Sequence, residues 1–417
     1  MATLVSVTVD PDGTGDYQSL NAAEADNFGA TSADLVANDE YVECGCIASS
    51  GSADQTPAVV IGFTTDADNN ISIFGGSGHK AGTSWDSSKY RLDFDTTDVE
   101  GVSLWPPYTE FISVQLTGIT DYILLNPRGD NILVDSCHLK DHESNNFRGV
   151  IRTYGSDGIK IVNCIVNNAV NNSNNGIQAQ ACSNTLIYNN IVYDTNQGLS
   201  LVSSSGTVAK NNLFLNNDPD IDDVPETCNY NITSDGTAVG TDSLANRTAT
   251  DSSSPGTGDW VVFKDLTAGA EDFALQDVSE NDARNHGETN SDDASVPTVD
   301  ILGNSRETAS GETCDVGAFE YVTSEGTTVT DTAILTGVSA NLLTSADSGQ
   351  ATDSAALSST LASVLGVSET AITNLDGSLT SALASLINGQ ETAITNLDGS
   401  LTSALASLIN GQEAGVT

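Results

Sequence analysis

The chain has 417 residues, with 57 Asp and Glu against 13 Lys and Arg, a formal net charge of −44. A field of that sign excludes nucleic acid and anionic membrane as partners, and no apolar run approaches the ~18 residues of a membrane-spanning helix. Aromatic residues make up 6% and apolar residues 38%, which is lean for a globular enzyme and suits a repeating architecture around a thin column of Val, Ile and Leu.

The N-terminus, MATLVSVTVD, has no basic n-region, apolar core or cleavage site, so no signal peptide is expected. Val5 to Val9 alternate as a short strand. The stretch DPDGTGDYQSLNAAEAD, Asp10 to Asp26, reads as a turn and a short helix. Residues 1–30 are therefore an entry strand with a capping helix. Further strands are expected at Ala58 to Phe63, Ile71 to Phe74 and Phe111 to Leu116, in early coils with long loops that carry Trp85 and Trp105.

Four stretches then repeat one pattern: NILVDSCHLKD from Asn131, IKIVNCIVNN from Ile159, TLIYNNIVYDT from Thr185 and TVAKNNLFLNN from Thr207. Aligned, they place Ser136, Asn163, Asn189 and Asn211 in one slot, at steps of 27, 26 and 22 residues. A second landmark, Gly149-Val150-Ile151, Gly176-Ile177-Gln178 and Gly198-Leu199-Ser200, keeps step at 27 and 22. Such a period is too short for a βαβ unit but holds three short strands and three turns. The fold class is thus all-β, a parallel β-helix, with coils over 31–217. Asn in a sharp turn tolerates left-handed geometry, and its amide can bond to the Asn one coil above, forming a ladder. The plainer alternative is solvated turn residues without a ladder, and this is the preferred reading for Asn168, Asn171, Asn172, Asn174 and Asn175. Cys137 and Cys164 follow the slot in two successive coils and are expected in one interior column.

Residues 218–322 hold the final coils and a closing segment. Its marks are Asp272-Phe273-Ala274-Leu275-Gln276, then Asp300 to Arg306, then Asp315-Val316-Gly317-Ala318-Phe319-Glu320-Tyr321. This trio resembles the end of extracellular right-handed β-helix proteins, and the opening segment resembles that of the pectate-lyase-like superfamily. The resemblance implies a right-handed helix whose first coil is covered by the short helix.

The tail, 323–417, repeats ETAITNLDGSLTSALASLINGQ at Glu369 to Gln390 and at Glu391 to Gln412. A period of 22 is two elevens, which predicts a nearly straight or slightly right-handed coiled coil. The alternative is a short helix, Ser378 to Ile387, capped at Gly389. The apolar stripe comprises Ile372, Leu375, Leu379, Leu383, Leu386, Ile394, Leu397, Leu401, Leu405 and Leu408. One copy cannot bury that stripe alone, so the tail is read as an oligomerisation element.

The acids are spread along the whole chain, and the lysines are only Lys80, Lys89, Lys140, Lys160, Lys210 and Lys264. This composition resembles proteins of extreme halophiles, in which molar salt screens self-repulsion. Seven scattered cysteines do not form a disulfide framework, and the four histidines have no zinc-site spacing. No cofactor is expected, and bound Ca, Mg, Na or K ions stay unassigned. Catalytic residues are assigned to none: Asp135, Asp141, Glu143, Arg148, Arg152, Asp157 and Asp194 lie on coil faces, but carboxylate proximity is expected by chance in so acidic a chain.

Two functions follow. The first is a structural surface protein of a halophilic tailed virus, a capsid decoration, turret, tail fibre or spike, resembling virion appendages of haloarchaeal viruses. That resemblance implies assembly in the host cytoplasm, a homotrimer, contacts with other virion proteins, and attachment to a host-surface glycan or S-layer. The second is a secreted, extracellular polysaccharide lyase or hydrolase, or an adhesin, of a halophile. Light-scattering mass in ~3 M salt tests the tail: we expect a trimer for the full chain and a monomer when it is stopped after Tyr321, and a monomeric full chain would remove the appendage reading's main support.

Overall fold

The computed structural model describes residues 2–96, 100–120, 122–143, 148–169, 174–251, 260–276, 278, 281–306 and 313–321, with 375–376 and 397–398 in the tail. Residues 1–321 form one compact unit and 322–417 another.

The first unit is a stack of coils whose short strands build three parallel sheets. The first sheet has nine strands, from Thr3–Val9 and Glu40–Cys46 through Leu133–Asp135, Lys160–Val162, Leu186–Tyr188 and Val208–Lys210 to Thr227–Asn229. The second has seven, among them His138–Glu143, Ile165–Asn167, Ile191–Tyr193 and Leu213–Leu215. The third has six: Ala58–Val60, Val102–Leu104, Leu125–Pro127, Arg148–Tyr154, Asn174–Gln180 and Leu199–Val202. All follow chain order and pair in register, Leu133 with Lys160, Lys160 with Leu186, Leu186 with Val208. Inward positions such as Val134, Ile161 and Ile187 are closed to solvent and form the core.

The first coil is covered as the opening segment requires. Helix Leu20–Ala25 is capped by the Ser19 hydroxyl, which accepts from the Ala22 amide at 3.1 Å, and it buries Leu20 and Ala23. No helix among the described residues is long and apolar enough to cross a membrane.

The first and second sheets meet at the slot. Ser136, Asn163, Asn189 and Asn211 all have φ between 52° and 58°, as do Ser113 and Tyr230 in the flanking coils. Ser113 divides Phe111 to Leu116, expected as one strand, into the ends of Thr109–Ile112 and Gln115–Thr120. The continuous amide column runs one residue later. Asn190 Nδ2 donates to Asn212 Oδ1 at 3.0 Å, and Asn212 Nδ2 to Asn231 Oδ1 at 2.9 Å. Each amide also donates to a carbonyl of the coil before, Ile161, Ile187 and Ala209. Cys137 and Cys164 continue this buried column, and the Cys164 amide donates to Asn190 Oδ1 at 2.9 Å. The Gly landmark is offset by one: Ile151 pairs with Ile177, which sets Gly149 level with Asn175.

Past the last coil, Thr248–Asp251, Trp260–Asp265 and Asp272–Leu275 form a small sheet, and the chain returns along the coils. Val261, Phe263, Phe273, Leu275, Ile301, Val316 and Ala318 cover the outward residues Ile165, Ile191, Leu213 and Leu215 of the second sheet. Val296 covers Val162 and Tyr188 of the first. Slot residues fasten this return. Arg306, buried, pairs with Glu320 at 2.9 Å and donates to Asn163 Oδ1 at 3.3 Å. Asn163 donates to the Val299 carbonyl, and Asn211 exchanges two bonds with Glu288.

In the second unit, Leu375–Asp376 and Leu397–Asp398 are short strands paired in parallel, Leu375 with Leu397. These two leucines, read above as part of a helical stripe, are extended, next to Asp-Gly dipeptides that favour a turn. Ile372, Leu379, Leu383, Leu386, Ile394, Leu401, Leu405 and Leu408 lie outside the described residues.

Asn212→Ala removes the middle of the amide column and leaves buried partners above and below unsatisfied. We expect a loss of roughly 3 kcal/mol, read as a lowered denaturant midpoint. A second outcome concerns His142, which a bulge at Asp141 turns into the core. Burial pushes its imidazole from 6.5 down to about 4. The unfolded chain thus takes up this proton near pH 6.5 and the folded chain only near 4, so the histidine costs stability as pH falls through that window. The stability of wild type relative to His142→Gln should therefore shrink between pH 6.5 and 4; a constant difference across that range would sink the assignment.

Candidate binding face on the third sheet

Alternation along the third-sheet strands sends every second residue outward, and register stacks these residues into two columns. One holds Val59, Ser103, Asn126, Arg152, Gln178 and Ser200. The other begins at Ile61, one residue past its strand, and continues through Trp105, Arg128, Tyr154, Gln180 and Val202. Beyond Val59, the first column is polar and nearly closed to solvent. The second is exposed: Ile61 51%, Trp105 42%, Tyr154 47% and Val202 38%. Four large apolar side chains in one axial line mark a contact surface, since scattered ones would need no explanation.

The aromatic residues are backed by cations. The Arg128 guanidinium lies 4.7 Å from the Trp105 ring centroid and that of Arg152 5.2 Å from Tyr154. Arg152 also donates to Gln180 Oε1 at 2.5 Å. Glu100 accepts from Asn126 Nδ2 at 2.7 Å, from Arg128 at 2.8 Å and from the Ser103 hydroxyl. Two guanidinium groups and the Glu100 carboxylate thus lie beside Trp105 and Tyr154. Trp85 differs: it packs edge-on against buried His138, 5.6 Å between centroids, under the second sheet's cover.

The coil-face residues singled out from the sequence are dispersed. Asp135 points outward from the first sheet and is held by Ser136 and Asn163, and burial pushes its carboxyl up. Asp141 pairs with Lys140 at 2.9 Å. Asp157 accepts from Ser183 and Asn184 at a corner, and these bonds lower its pKa. Asp194 accepts from Asn216. Glu143 ends a second-sheet strand and Arg148 begins a third-sheet one. Arg152 alone among them is placed on the candidate face by the contacts above. Among the described residues, no group of three or more His, Cys, Asp or Glu is arranged to hold a metal ion.

Arg128, Tyr154 and Glu100 escaped the sequence reading, which placed Trp105 in an early loop, whereas it directly follows the strand Val102–Leu104. The usable signal was an apolar residue, a polar one, any third residue and a large one at Val102 to Trp105, Leu125 to Arg128 and Ile151 to Tyr154. It was obscured because the three copies share almost no residue identity.

Residues 100–254 match a family model described as a right handed beta helix region. No curated protein matches the chain. Stacked parallel sheets, together with this match, make the fold a right-handed parallel β-helix.

Proposed function

We propose that this chain is a structural attachment protein, a covered β-helix that presents its third-sheet face to a glycan. The exposed column carries the reading. Trp105 and Tyr154 are two rungs apart, roughly 10 Å, along the solenoid axis. Flat rings at that spacing suit the apolar C–H faces of sugar units in a linear chain, while Arg128 and Gln180 in the same column suit hydroxyl groups. On this reading the protein is a virion surface component of a halophilic tailed virus, a capsid decoration, turret, fibre or spike, and its partners are other virion proteins, further copies of itself through the tail, and a host-surface glycan or S-layer. The dispersed acid content and the repeat tail support that setting. A glycosidase would need two carboxylates at defined separation, and the Glu100 carboxylate is engaged by Asn126, Arg128 and Ser103.

Glycan-array binding of the full chain in ~3 M salt tests this. Trp105→Ala and Tyr154→Ala should each weaken binding about tenfold or more while leaving the melting temperature unchanged, because both rings are solvent-facing. Retained affinity in both variants would move the contact surface elsewhere.

A further inference from the structure

The exposed face holds a carboxylate of its own at the spot best equipped to take one from a ligand. Asn126 Nδ2, an Arg128 guanidinium nitrogen and the Ser103 hydroxyl converge on Glu100. Asn126 is fully buried, and the Arg128 and Glu100 side chains are 23% and 22% exposed. Backbone bonds hold the segment in place: the Gly101 and Val102 amides donate to the Ile123 and Leu124 carbonyls at 2.9 Å each. A Cβ on Gly101 would sit 2.6 Å from the Leu124 carbonyl oxygen, so the approach of this segment to the next coil depends on that glycine. Arg128, fixed by Glu100, lies over Trp105.

We propose that Glu100 acts as a built-in anion that fills this three-donor position and makes the Trp105 end of the face select neutral sugars over acidic ones. This rests on the reading of the face as a glycan site. A uronate or sulfate arriving beside Trp105 meets the like charge of Glu100, to which Asn126 Nδ2 and one Arg128 nitrogen already donate, whereas a neutral hydroxyl can accept or donate at the rim without displacing Glu100.

The test is calorimetric binding of β-1,4-linked mannohexaose and hexamannuronate, which differ in a carboxylate per sugar, to the full chain and to Glu100→Gln at one fixed high salt concentration. Glutamine keeps the shape and an acceptor oxygen but removes the charge. We expect the ratio of acidic to neutral affinity to rise about tenfold or more in Glu100→Gln, with Glu100→Ala moving it the same way. If wild type binds a probe and the ratio stays constant in both variants, the inference fails alone, and Glu100 is a positioning residue for Arg128. If no protein binds either probe, the glycan reading of the face fails and takes the inference with it.

Discussion

In each sheet a strand bonds through its backbone to the equivalent strand of the next coil, so residues at one position in successive coils lie about 4.8 Å apart. Neighbours are thereby assigned by register and not by sequence proximity. Whatever a coil places at a given position, it places against itself. This favours side chains that gain from like neighbours, such as the amides of Asn190, Asn212 and Asn231, and it gathers outward residues from distant parts of the chain into lines. A slip of one residue would exchange every inward and outward position. The left-handed corner at Ser136, Asn163, Asn189 and Asn211 resists that slip, because it must recur at the same point of each coil.

A solenoid with three apolar outer faces would aggregate, and the return segment resolves this for two of them. Its seam is mostly apolar, but its fastening is polar: Arg306 among Glu320, Asn163 and the Asp315 and Gly317 carbonyls, and Lys210 with Glu288 and Asp293. Buried ion pairs add little net stability, because desolvation offsets attraction. Their use here is positional. An apolar strap can slide on an apolar sheet, whereas a guanidinium with four fixed acceptors has one acceptable seat. The few cations of this acidic chain are in part spent on that alignment, and Arg128 and Arg152 stand apart on the outward side of the third sheet.

The coil architecture was legible because slot geometry demands small or amide residues whatever the ligand: Ser136, Asn163, Asn189 and Asn211 repeat visibly. What those side chains do was less legible. The reading placed the amide ladder in the slot itself, where Asn211 Nδ2 does donate to Asn189 Oδ1 at 3.5 Å, but the continuous column lies at Asn190, Asn212 and Asn231, and Asn163 and Asn211 also reach the return segment. Left-handed backbone at one residue and an inward side chain at the next look alike in a string containing Asn-Asn twice. The candidate face was nearly invisible for the complementary reason. Outward positions carry no packing constraint, so Trp105, Arg128 and Tyr154 share a column without sharing chemistry, and only the register of the folded coils brings them together.

The covered ends and the axial columns together make length an independent variable of this molecule. Coils join to one another through the same backbone bonds throughout, so a duplicated stretch from one slot to the next, 22 residues between Asn189 and Asn211, could be spliced into the stack without disturbing the helix at one end or the return at the other, provided the strap lengthened with it. Each such event would lengthen the exposed column by one rung. A lineage could in this way match its footprint to a longer or shorter ligand by counting coils, keeping every existing contact while it does so, a route to new specificity closed to folds whose binding site is enclosed by a single core.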